Sequence, residues 1–170
     1  RDRILVKDEY TRLIDACRIS DNKYLKNMVQ FSIETAIRQG ELLAMRYDHI
    51  NFEKRTLLIP ETKNGEPRTV PLSSKAIDIL LALPRRLDGK IFPMTCDSLK
   101  FWFGQAKRRA KISGFRWHDL RRHACTLLFE KGLNVPEVQL VSGHKDPRVL
   151  LNTYTKLSAE KIAIKLMERG

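Results

Sequence analysis

Residues 49–72, HINFEKRTLLIPETKNGEPRTVPL, carry the reading that decides the fold. Three segments within it, 49–53, 56–63 and 66–72, are short, rich in apolar and β-branched side chains, and read as strands. The last two flank Asn64-Gly65, the strongest short-range hairpin signal, so they pair as an antiparallel ribbon. Outward from this stretch the patterns are helical on both sides. Upstream, Tyr10, Leu13, Ile14 and Cys17 recur at helical spacing, and Leu25, Met28 and Val29 do so after Asp21, which reads as an N-cap. Gly40 interrupts TAIRQGELLAM and predicts two helical pieces joined at a bend. Downstream, Ser73 or Ser74 caps a helix closed by Pro84, and Thr95 or Asp97 opens one that runs toward Ser113-Gly114. Further helices are expected over 118–131 before Gly132, over 136–142 before Gly143, over 147–155 after Asp146-Pro147, and from Ser158 onward. The predicted fold class is mostly α with a small three-stranded antiparallel sheet (α+β), a layout foreign to parallel α/β enzymes.

Length sets a single domain over residues 1–170, and 42% hydrophobic residues suffice for one core. The chain opens on Arg1 with no apolar leader, so it reads as a piece of a longer protein. Its longest apolar runs, such as IDILLALP, are far shorter than a bilayer span, which predicts a protein with no membrane partner. Cys17, Cys96 and Cys125 are odd in number and lack C-x-x-C spacing, against both a disulfide framework and a structural zinc site and in favour of a cytoplasmic setting. The net charge of +12 favours a polyanionic partner, nucleic acid before an anionic membrane. That excess is concentrated in KRRAKISGFRWHDLRR, residues 107–122, where Asp119 is the only acid.

Within HDLRRHAC, His118 and Arg121 stand three apart and share a helix face near its N-terminus, an anion site in outline. Arg38 lies at the broken helix junction, with Glu41 spaced to orient it, and His144 follows Gly143 at another helix end. In LLNTYTKL, Tyr154 sits between threonines although Leu150, Leu151 and Leu157 already serve packing. Any one of these has an ordinary reading: a packing tyrosine, a surface ion pair, a turn lysine at Lys63. Together, two arginines, two histidines and a late tyrosine are the parts needed to hold a phosphodiester and attack it. Other chemistries fit less well. His118, His123, Cys125 and His144 lack zinc-ligand spacing, and no nucleophile-elbow sequence supports a serine triad. Phe92, Trp102 and Phe103 read as core residues rather than base-stacking platforms.

The ordered set TAIRQGELLAMRYDHI, TKNGEPRTVPL, HDLRRHAC, LVSGHKDP and LNTYTKL resembles the motifs of the tyrosine recombinases, in particular the catalytic domain of temperate-phage integrases. The resemblance runs over essentially the whole chain. It implies an active site of Arg38, Lys63, His118, Arg121, His144 and Tyr154, no cofactor or metal, and an upstream DNA-binding domain outside this sequence. The implied substrate is double-stranded DNA with specific recombination sites, cut and rejoined through a 3′-phosphotyrosyl intermediate to integrate and excise phage DNA. Implied partners are further copies of the chain, a tetramer on DNA joined through the C-terminal tail, and host DNA-bending proteins. In that tail Ala159, Ile162, Ala163 and Leu166 form an apolar stripe that packs either on its own domain or on a neighbour. Four positions depart from the family pattern: Ala36 replaces a frequent Gly, Ser142 a usual Leu, and Arg122 and His123 a commoner His-Thr. A type IB topoisomerase and a non-catalytic DNA-binding regulator are the competing functions.

Overall fold

The structure is a computed structural model that describes residues 3–60, 65–154, 163 and 166–167. Eight α-helices and three strands follow one another as α1 (Lys7–Arg18), α2 (Leu25–Thr35), α3 (Gln39–Leu43), β1 (Ile50–Asn51), β2 (Thr56–Ile59), β3 (Arg68–Pro71), α4 (Ser74–Leu81), α5 (Cys96–Arg109), α6 (Trp117–Glu130), α7 (Val135–Ser142) and α8 (Arg148–Tyr154) among the described residues. The sheet has the order β1-β2-β3 and is antiparallel throughout, with Leu57 opposite Ile50 on one side and Val70 on the other. The expected fold class is therefore the one observed. Gly65 has φ +80°, as a turn glycine should. Lys63 and Asn64 lie outside the described residues, as does nearly all of the tail; Leu166 and Met167 are helical there and exposed.

The centre of the molecule is α2, which packs on α1, α4 and α6. It can do so because its apolar residues do not form one stripe: Leu25, Met28, Val29, Phe31 and Ile33 are all buried, the pattern of a helix enclosed by neighbours. Phe92 and Phe103 are buried as expected, whereas Trp102 only borders the core. No helix of the described residues is long and apolar enough to cross a membrane.

Two local expectations are corrected. Asp21 does not cap α2; the side chain of Asn22 accepts from the N–H groups of Tyr24 and Leu25 at 3.0 and 3.1 Å. The helical bend falls at Ala36, not Gly40: Ala36 adopts a left-handed φ of +51° and ends α2, while Gly40 lies inside α3. The residue that ends α2 thus occupies the position where a glycine is frequent among the resembling proteins, and backbone conformation explains that preference. The other caps are as read, with Ser73 accepting from the Ala76 N–H and Thr95 from the Ser98 N–H, both at 3.1 Å. Asn134 and Glu137 form a reciprocal capping box on α7.

Candidate active site

The C-terminus of α7 organises the site. Its last carbonyls have no partners within the helix and sit at the negative end of the helix dipole. Three guanidinium groups satisfy three of them in succession. Arg68 donates from Nη1 to the Val141 carbonyl at 2.9 Å, Arg121 from Nη1 to the Ser142 carbonyl at 2.5 Å, and Arg38 from Nη2 to the Gly143 carbonyl at 2.9 Å. Arg121 also donates from Nη1 to the Ala36 carbonyl, which the left-handed turn presents to it. One carboxylate completes the frame. Glu41 accepts from Arg38 Nη1 at 2.9 Å, from Arg68 Nη2 at 2.8 Å and from the Arg38 N–H at 3.1 Å. Burial pushes the Glu41 carboxyl up, but the hydrogen bonds from Arg68 and from the Arg38 backbone outweigh it and hold its pKa below the ordinary value.

Three cations around one anion leave the site in want of negative charge. Arg121 is 4% exposed, and its Nη2 is buried without a hydrogen-bond partner among the described residues. Burial, then the neighbouring Arg38, lowers its pKa to about 10, so it stays charged at neutral pH. A donor in that position awaits an acceptor. His118, at the start of α6, lines a cleft of about 50 Å³ with Arg38, Gln39 and Arg121. Its pKa is lowered by desolvation and by Arg121. The α6 N-terminus that presents it is fixed by Asp119, which accepts from the Arg116 N–H at 2.7 Å.

His144 follows the left-handed Gly143, φ +71°. Its Nδ1 lies 2.7 Å from Ser142 Oγ. Desolvation, then Arg121, Arg38, His118 and Arg68, lowers its pKa to about 3, which makes it neutral in the free protein. Arg38, His118, Arg121 and His144 are therefore brought together from three separate segments. Tyr154 sits at the end of α8, which packs on α6 and α7. Its ring stacks edge-on against Phe129 at 5.2 Å between centroids, and its hydroxyl makes no hydrogen bond to another described residue. The structure does not describe Lys63. Among the described residues no group of three or more His, Cys, Asp or Glu side chains could hold a metal ion.

The sequence reading missed Arg68 and the part played by Ser142. Arg68 had a usable signal, since it shares strand parity with the buried Val70 and Leu72 and so faces inward.

The fold is that of integrase catalytic domains. It matches the catalytic domain of bacteriophage HP1 integrase with a TM-score of 0.75 and 23% identity, over 97% of this chain and 95% of that one. It also matches a lambda integrase dimer bound to a COC′ core site, with a TM-score of 0.74 and 20% identity, over 94% of this chain and 62% of that one. Residues 3–161 match the phage integrase family, and the chain belongs to that family, the tyrosine recombinases. A shufflon-specific DNA recombinase of Escherichia coli is 39% identical over 170 residues, which are 99% of this chain and 44% of that protein. The chain thus spans less than half the length of that relative.

Proposed function

We propose that this chain is the catalytic domain of a site-specific DNA recombinase that cuts and rejoins strands through a 3′-phosphotyrosyl bond. The observation that carries this reading is the convergence of Arg38, His118, Arg121 and His144 on one niche in which Arg121 Nη2 is buried and has no partner among the described residues. When the Tyr154 oxygen attacks a phosphodiester, charge grows on the two non-bridging oxygens. Two arginines held by carbonyls and a carboxylate are already oriented to meet it, so little reorganisation is left for the reaction itself. His118, with its lowered pKa, is a neutral base able to take the phenolic proton, which a tyrosine of ordinary pKa near ~10 otherwise keeps at neutral pH. Lys63, which falls between β2 and β3 in the sequence, is the proposed acid for the leaving 5′-oxygen. The phosphotyrosyl bond conserves the energy of the bond it replaces, and a second 5′-hydroxyl reverses the step.

The substrate is double-stranded DNA bearing specific recombination sites, and integration and excision of phage DNA is the biological setting we favour. Assembly as a tetramer through the C-terminal tail, with host DNA-bending proteins, belongs to the same reading. A nicked suicide duplex tests it. The wild-type domain is expected to give an SDS-resistant protein–DNA adduct, and Tyr154→Phe to give none while binding the duplex with similar affinity, because only the nucleophilic oxygen is lost. Cleavage by Tyr154→Phe above background would falsify the nucleophile assignment. Relaxation of supercoils without recombinant product points instead to a topoisomerase.

A further inference from the structure

Ser142 is fully buried, and its hydroxyl touches two groups at once: the Val138 carbonyl at 2.6 Å and His144 Nδ1 at 2.7 Å. A hydroxyl has one proton to give. The Val138 carbonyl can only accept, and two oxygens at 2.6 Å repel unless that proton lies between them. The Ser142 proton therefore goes to Val138, and the oxygen turns a lone pair toward the histidine. A lone pair cannot bond a bare ring nitrogen, so Nδ1 must carry hydrogen. In a neutral imidazole this leaves Nε2 bare.

We propose that Ser142 is a positioning residue that fixes the proton of His144 on Nδ1 and so makes Nε2 an acceptor in the DNA-free protein. The surroundings agree from every side. Arg121 and His118 on α6, Arg38 at the start of α3 and Arg68 on β3 surround the ring, and the positive charge of the three arginines favours a lone pair there over a second N–H. The buried thiol of Cys125, its pKa raised by desolvation, also lies beside Ser142 and in its protonated form offers a weak donor. The backbone that carries the ring is held, since Gln139 Nε2 donates to the His144 carbonyl at 3.1 Å and Arg38 Nη2 to the Gly143 carbonyl at 2.9 Å.

We read His144 as a contact to the same non-bridging phosphate oxygens as the two arginines, and the consequence for catalysis rests on that reading. A bare Nε2 does not donate to a phosphate oxygen until it takes up a proton from solvent. A Leu at position 142, usual in the resembling proteins, has no lone pair to offer Nδ1 and leaves the neutral ring free to donate from Nε2. Ser142 thus ties the donor form of this histidine to protonation.

The tautomer is readable without DNA. The chain has four histidines, so two-bond 15N–1H correlation of the 15N-labelled protein near pH 7 gives a short spectrum, with His144 assigned by its loss in His144→Asn. The wild type is expected to show a protonated Nδ1 and a bare Nε2 at His144. Ser142→Thr, which keeps the hydroxyl, should do the same. Ser142→Ala should shift the tautomer ratio toward Nε2–H by about fivefold, the worth of one neutral hydrogen bond. Nε2–H in the wild type, or an unchanged ratio in a folded Ser142→Ala, overturns the assignment. Because no DNA is present, neither result depends on whether Tyr154 is the nucleophile.

Discussion

A single side chain, Arg121, holds two duties that a lysine cannot combine. Its Nη1 is committed to the carbonyls of Ala36 and Ser142, and its Nη2 is the buried prong left for a ligand. A planar fork keeps both directions at once, whereas an ammonium is a point charge on a flexible stem. Arg121→Lys is therefore expected to lower single-turnover cleavage by about 10² or more, in the range of losing one preorganised charge-stabilising donor. Duplex affinity should change little, since surface charge dominates it. Cleavage within a factor of about two of wild type would assign Arg121 to the fold alone. Of the residues gathered at this niche, Arg38 with Glu41, His118 with Arg121, and His144 stood out in the sequence by spacing or position at helix ends, and the resemblance to tyrosine recombinase motifs is what joined them into one site. Arg68 carried only its strand parity as a signal and Ser142 none, because the carboxylate, backbone carbonyls and ring nitrogen they bond are brought near only by tertiary packing.

At the scale of elements, local rules placed most helix boundaries, with Asp21 read as a cap where Asn22 accepts instead. Thr95 and Ser73 cap the helices they precede as read, Gly132 and Gly143 follow helices with positive φ, and the Asn134 cap of α7 is seen in the structure alone. The bend after α2 was misplaced because Ala36, with a Cβ, gives no hint of its left-handed backbone, whereas Gly40 looks like a breaker and is tolerated inside α3. Gly143 is the point where element and site meet. Any Cβ there would stand 2.6 Å from Arg68 Nε and 2.8 Å from its Cδ and Cζ, on a backbone at φ +71°. Gly143→Ala thus incurs a left-handed backbone cost of about 1–2 kcal/mol and also displaces Arg68 from Val141 and Glu41. The expected destabilisation is about 2–4 kcal/mol in urea unfolding. In an Arg68→Ala background the steric part has already gone, so the same substitution should cost only the backbone term. Equal costs in the two backgrounds would mean that Arg68 yields freely and does not brace the α7 terminus.

Across the whole molecule, the net charge of +12 divides into two populations. Arg108, Arg109 and Lys111 are exposed at the end of α5 and free to attract a polyanion from a distance, while Arg121 and Arg68 are turned inward and serve geometry. Concentrating cations inside has a cost that pH exposes. His118, His123 and His144 all have lowered pKa values, chiefly through desolvation, and that of His144 falls to about 3. The unfolded chain binds a proton at each near pH 6.5, whereas the folded protein resists doing so until lower pH. Between those values the unfolded state holds more protons, so stability must fall as pH falls. The histidine contribution is complete above about pH 6.5 and drains below it, with a limiting slope of about 1.4 kcal/mol per pH unit for each fully depressed group. Glu41 acts in a lower window: its pKa is held below the ordinary carboxylate value, so its contribution is present above that value and lost as pH falls through the folded one. Urea unfolding at intervals from pH 7.5 to about 5 should therefore be flat at first and then steepen. His144→Asn should remove close to one proton's worth of that slope, leaving the portion due to His118 and His123. Identical slopes for the variant and the parent between pH 6.5 and 5 would mean that His144 already carries its proton among the arginines, and that the niche is less positive than its geometry implies.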